Sequence, residues 1–245
     1  MRIAEIAPLF VRVPPERYGG TERVVHALTE ELVRRGHRVT LFAPATSMTS
    51  AELHISAPMP LWEIRAADPF AYRILQIEEV VRRSREFDII HSHVEYLPWM
   101  ARNRIQAPII TSLHGRLDCL EHQALFAYNQ EQPVVSISDA QRRPLEHLDM
   151  NWVATVHNGL PLASLYSLGD GDGGYLAYIG RVAPEKDTGG RDPRRGARRY
   201  TTQDRRQGCL AGRGLLSRLR AAAAAASTGP LVGRARRRRE ESSIG

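Results

Sequence analysis

The sequence predicts an α/β fold built on a parallel sheet, and three observations carry that expectation. Short β-rich runs alternate with helical patterns through the first 186 residues, the grammar of parallel strands joined by crossover helices. The later strand candidates each end in polar residues, as strands do where loops converge on a ligand. Hydrophobic residues make up 42% of the 245 and charged residues 25%, which suits a globular chain.

The elements follow in order. Residues 2–8 (RIAEIAP) read as a first strand, leading into a proline-bearing loop that ends Tyr18-Gly19-Gly20. A helix is predicted from Thr21, with Val24, Val25, Leu28 and Leu32 at helical spacing and Gly36 placed to end it. Residues 38–44 (RVTLFAP) are the next strand. Residues 69–87 read as a helix with Ile74, Leu75, Ile77, Val80 and Val81 as its apolar side, Asp68 as N-cap and Pro69 at the first helical position. Strands are then expected at 88–93 (DIIHSH), 108–114 (PIITSLH), 133–139 (PVVSISD) and 152–156. A glycine-rich linker (GDGDGG, 169–174) precedes 175–180 (YLAYIG), which reads as the first strand of a second domain. The expected organisation is a Rossmann-like domain over 1–160, a linker and stub over 161–186, and a low-complexity tail over 187–245.

The net charge of +7 divides unevenly. Residues 187–245 hold 15 arginines against 5 acids, or +10, which leaves the first 186 residues at −3. Eight large apolar or aromatic residues are scattered through the tail with six consecutive alanines, too little to offset chain entropy of ~1–2 kcal/mol per residue, so disorder is predicted there. Cys119 and Cys209 form neither a disulfide framework nor a metal-ligand spacing. No apolar run reaches the ~20 residues of a membrane span and no apolar signal core is present, so a cytoplasmic chain is expected, with peripheral membrane contact left open.

Four segments could carry chemistry. The glycines of Tyr18-Gly19-Gly20-Thr21-Glu22 precede a helix whose free N–H groups favour an anion; an ordinary tight loop reads the same way, and G-x-G-x-x-G is absent. His91-Ser92-His93 sets two imidazoles on one side of a strand end, where Glu95 could complete a metal set; a polar terminus lining a cleft fits better, and no metal is expected. His114, before Gly115, could exchange hydrogen bonds with a sugar hydroxyl or assist acid/base chemistry. In Gly180-Arg181-Val182-Ala183-Pro184-Glu185-Lys186, two cations at a strand–loop–helix junction suit a diphosphate, although a solvated charged loop has the same spacing.

Taken together, RIAEIAP, PPERYGGTERVVHALTEELVRRGHRVTLFA, DIIHSHVEYLP, TSLHGRLD, VSISDAQRRPL, NWVATVHNGLPL and YLAYIGRVAPEK resemble the N-terminal part of a family 4 retaining glycosyltransferase. The resemblance implies the N-terminal half of a B-type architecture of two facing Rossmann-like domains. It implies Gly19 and Gly20 facing the donor phosphates and acceptor, His114 at the reaction centre, and Arg181 and Lys186 on the donor diphosphate. It also implies retention of anomeric configuration, a nucleotide-sugar donor, an unidentified acceptor and no metal.

The resemblance stops after Lys186. No later segment supplies the family's pair of glutamates, seven residues apart, that hold donor sugar and ribose. The arginine, glycine and alanine composition of the tail fits GC-rich DNA read out of frame, so a frameshift after Lys186 is expected, with a chain inactive by itself. An acceptor-binding module served by a separate donor-domain partner is the alternative. Nucleic-acid binding through the tail ranks last, because Tyr200 is its one aromatic for stacking. Oligomeric state cannot be read from the sequence.

Overall fold

Strands β1 (Arg2–Ile6), β2 (Arg38–Pro44), β3 (Glu52–Ala57), β4 (Ile89–Ser92), β5 (Ile109–Leu113), β6 (Val134–Ser136) and β7 (Trp152–Thr155) form one parallel sheet. Their spatial order is β3-β2-β1-β4-β5-β6-β7. The computed structural model describes residues 1–159; the linker and stub expected at 161–186, the tail at 187–245, and with them Arg181 and Lys186, lie outside the described residues. Within it the predicted Rossmann-like parallel sheet is present. The chain runs outward from β1 to β3, then crosses back to place β4 on the other side of β1. That reversal between β1 and β4 is the switch point at which open α/β sheets bind ligands beyond their strand carboxyl ends.

The helices are α1 (Gly20–Arg34), α2 (Leu61–Ile64), α3 (Pro69–Arg83), α4 (Leu120–Tyr128) and α5 (Asp139–Arg142), with a 3-10 stretch at Leu97–Arg104. Helix α3 starts at the predicted Pro69, and α1 starts at Gly20, one residue before the predicted Thr21. Asp68 accepts hydrogen bonds from the N–H groups of Phe70 and Ala71 at 2.9 and 3.4 Å, and Pro69 takes the first turn. Gly36, at φ +84°, sits just past the end of α1.

On one face of the sheet Ala4, Ile6, Phe42 and Ile90 pack with Ile77 and Val80 of α3 and with Leu97 and Ala101. On the other, Ala7, Leu41 and Ala43 pack with Val13 and Val25 of α1. Trp99, Leu113, Phe126 and Val134 build the core under β5 and β6. Two expectations need correcting. Leu75 is 56% exposed, and the buried side of α3 is centred on Gln76, Ile77 and Val80. Gln76 belongs there because its amide donates to the carbonyls of Ala7 and Phe42 at 2.9 and 3.1 Å, tying α3 to the ends of β1 and β2. Strand β3 was not predicted at all. Among the described residues no helix is long and apolar enough to cross a membrane.

Candidate active site

Parallel register sets the site. Glu5 pairs with His91 across β1 and β4, and His93 follows two residues on, so the three side chains share one sheet face at the switch point. Glu5 is wholly buried in an otherwise apolar strand. His93 Nε2 lies 2.9 Å from Glu5 Oε2, and His93 Nδ1 lies 2.9 Å from His114 Nε2. His91 Nδ1 approaches Glu5 Oε1 at 3.4 Å without hydrogen-bond alignment, and its Nε2 meets the Ser112 hydroxyl at 2.8 Å. The result is an unbroken line, carboxylate to imidazole to imidazole, ending just past β5.

Burial alone would push the Glu5 carboxyl up, but His91 and His93 together outweigh it and hold the group at about 2. Burial, then the neighbouring His91, pushes His93 down. Burial, then His93 and His91, brings His114 down to about 3. At neutral pH this makes one buried anion beside two neutral imidazoles.

The backbone around His114 is held on both sides. Glu95 Oε1 accepts from the N–H groups of His114 and Gly115 at 3.1 and 2.8 Å. The Gln141 amide donates to the carbonyls of Leu113 and Gly115, each at 2.9 Å. Gln141 is itself placed by α5, whose N-cap Ser138 accepts from the Gln141 N–H. Glu95 reaches the loop from a left-handed backbone, φ +57°.

The Gly19–Gly20 loop is equally specified. Gly19, at φ +148°, is the residue before α1, and a Cβ there would meet Pro15 Cβ at 2.8 Å and Glu22 Oε2 at 2.9 Å. Gly20 has open space where a Cβ would stand and begins the helix. Glu22 is buried beside this loop, and burial raises its carboxyl. Since β1, β4 and β5 run parallel, Gly19, Gly20, His93 and His114 all gather at the carboxyl edge of the sheet.

Against this geometry the comparison with known families is decisive. The sequence model described as Glycosyltransferase Family 4 matches residues 18–164. The chain belongs to Glycosyltransferase Family 4.

Solved structures similar to this family 4 domain include AviGT4, a glycosyltransferase involved in avilamycin A biosynthesis, at 19% identity and TM-score 0.38. Another is Anabaena Alr3699/HepE, solved in complex with UDP-glucose, at 15% identity and TM-score 0.43. Each match covers 65% of this chain, and 42% and 44% of those chains respectively, so the chain spans less than half the length of either. No curated protein sequence matches it.

Within the family 4 domain, the expected site residues separate into two groups. His114, Gly19 and Gly20 are brought to one sheet edge, while Arg181 and Lys186 fall outside the described residues. The sequence missed Glu5 and Gln141, and it gave Glu95 no role beyond the metal set that it put aside. Glu95 does not join His91 and His93; it is engaged by the loop backbone. Among the described residues, the set whose ligand-type atoms lie within 4.8 Å of one another is Glu5, His91 and His93. The signal for Glu5 was available: a carboxylate inside RIAEI must find a partner when buried.

Proposed function

We propose that this family 4 domain is the acceptor-side half of an enzyme that moves a sugar from a nucleotide-activated donor to an acceptor with retention of configuration. The observation that carries the reading is the family match over 18–164, a span that contains Gly19, Gly20 and His114. In this reading the Gly19–Gly20 loop lies against the donor phosphates and the acceptor. His114 stands beside the transferred sugar. Arg181 and Lys186 hold the diphosphate and neutralise its charge as it departs, the kind of electrostatic stabilisation worth ~10²–10³ in rate per contact. No metal takes part, because those two cations supply the positive charge, and the reaction is set in the cytoplasm.

The 245-residue chain is proposed to be inactive alone, since residues 187–245 carry no two glutamates seven residues apart to hold sugar and ribose. The test is release of nucleoside diphosphate from UDP-, GDP- and ADP-sugars. The purified chain should release none. A chain whose gene is corrected in frame after Lys186 should release it, and His114→Ala or Arg181→Ala in that chain should abolish the signal. Silence of the corrected chain with every donor sinks the transfer reading.

A further inference from the structure

Two atoms of the buried line have no hydrogen-bond partner: Glu5 Oε1 and His114 Nδ1, both enclosed. Buried polar atoms in native folds are nearly always satisfied, so each such exception calls for a cause. The mechanism above uses His114 but neither Glu5 nor His93. Their arrangement decides which proton His114 carries.

The deduction is a chain of single choices. An ionised carboxylate only accepts, so the proton between Glu5 Oε2 and His93 sits on His93 Nε2. A neutral imidazole carries one N–H, so His93 Nδ1 is a lone pair. The 2.9 Å contact to His114 then requires His114 Nε2 to donate. With its single proton so placed, His114 Nδ1 is a lone pair as well, and it is the atom without a partner. Burial keeps both rings neutral, which supports this reading of the geometry.

We infer that Glu5 and His93 are positioning residues: they lock His114 as its Nε2–H tautomer and so fix His114 Nδ1 as a hydrogen-bond acceptor. The inference rests on the proposed role of His114 and adds the chemistry of what it contacts. An acceptor nitrogen is satisfied by an O–H or N–H and is repelled by a phosphate oxygen, which has no proton to give. His114 Nδ1 is enclosed in this structure, so any group that comes to reach it must bring a proton, as a hydroxyl of donor sugar or acceptor does and a diphosphate oxygen does not. Carboxylate partners that set a histidine's tautomer through its far nitrogen are a recurrent way of orienting that ring. Here the control passes through a second imidazole.

The experiment is ¹⁵N–¹H correlation of histidine side chains in the full 245-residue chain near pH 7.5. Ring nitrogen shifts separate N–H from lone-pair nitrogens. His93 and His114 should both show Nε2–H and an unprotonated Nδ1. In His93→Phe, which cuts the line while filling its space, both His114 nitrogens should move to values averaged over two tautomers. In Glu5→Gln, whose amide can either accept or donate, the His93 nitrogens should average. A purely structural role for Glu5 and His93 predicts no change at His114 in either variant. The inference falls if wild-type His114 carries its proton on Nδ1, if His93 is doubly protonated, or if His93→Phe leaves His114 locked. It falls equally if Zn²⁺ alone binds stoichiometrically and shifts the His91 and His93 nitrogens together, because the cluster is then a metal site. These readouts do not depend on sugar transfer, so a locked tautomer stands even where the assay of nucleoside diphosphate fails.

Discussion

The two ends of one sheet treat charge in opposite ways. At the amino ends, Arg2 holds Asp88 through Nε and a terminal nitrogen at 3.2 and 2.7 Å, and Arg83 bridges Glu52 and Glu86 at 3.0 and 2.7 Å. These carboxylates are all exposed, and Arg2, Glu52, Arg83 and Glu86 line an open cavity of about 480 Å³ together with Arg38 and His37. Each of those carboxylates has an arginine partner and water nearby. At the carboxyl ends one carboxylate, Glu5, lies fully buried among three histidines, and two enclosed atoms lack partners. Charge is paired in the open at one end of the sheet and enclosed at the other.

The largest expected effect breaks the carboxyl end outright. His93→Ala removes the aligned hydrogen-bond partner of the Glu5 carboxylate and leaves that buried group only the 3.4 Å approach of His91 Nδ1. Leaving a buried charged acceptor without its donor costs upwards of ~3 kcal/mol, which urea unfolding of the variant should show. A loss no greater than that of an exposed substitution would mean that water reaches Glu5.

Acid should separate the ends next. Unfolded histidine titrates near 6.5, whereas His114 in the fold does so at about 3. Between those values the unfolded chain binds the extra proton, so this contribution to stability is full above pH 6.5 and falls as pH drops. His93 acts in the same sense. Glu5, held at about 2 against 4.5, adds a loss that begins only below 4.5. Glu22 and Glu95 are raised by burial and work in the opposite direction, losing stability as pH rises through their range. The urea midpoint should therefore fall from pH 7.5 to 5.5, a window in which exposed carboxylates stay ionised. His114→Asn should reduce that fall, and an unchanged slope would place His114 in water.

The same contrast explains what was legible in the sequence. Helices α1 and α3 announced themselves by apolar spacing, Asp68-Pro69 and Gly36, all local signals. The edge strand β3 did not, because Glu52, His54 and Ser56 interleave with a half-buried Leu53 and an exposed Ile55, and pairing with β2 alone makes it a strand. Leu75 was misread because periodicity cannot know that the carbonyls of Ala7 and Phe42 need the Gln76 amide more than α3 needs another leucine. At the site, histidines at strand ends were visible as types. Their partners were not, since Glu5 and His93 are 88 positions apart and Gln141 reaches the loop of His114 from 26 or 28 positions away.

A third prediction sharpens the carboxyl end by comparing neighbours. Gly19→Ala places a Cβ at φ +148° against Pro15 and Glu22, in a region only glycine occupies at ease, and should cost ~1–3 kcal/mol in urea unfolding. Gly20→Ala meets nothing within 4 Å at the start of α1 and should stay within about ±0.5 kcal/mol. Equal losses at the two positions would show that the loop adopts another backbone.

The smallest effect belongs to the amino end. Arg2→Ala deletes two side-chain hydrogen bonds to Asp88, but the Arg2 N–H bond to Asp88 Oδ2 at 2.8 Å and the Asp88 N–H bond to the Arg2 carbonyl at 2.8 Å belong to the backbone and survive. Arg2 and Asp88 keep 48% and 38% of their side-chain surface in water, so the freed carboxylate is simply solvated. Exposed pairs of this kind contribute little because solvent screening and side-chain entropy offset the attraction. The variant should unfold at the wild-type urea midpoint within error, and 0.5 M salt should not separate the two, because the Debye length is then only a few ångströms. A clear loss at low salt that salt removes would show that the amino-end charges act as a coupled network. The asymmetry between the two ends would then rest on burial alone, without the difference in pairing.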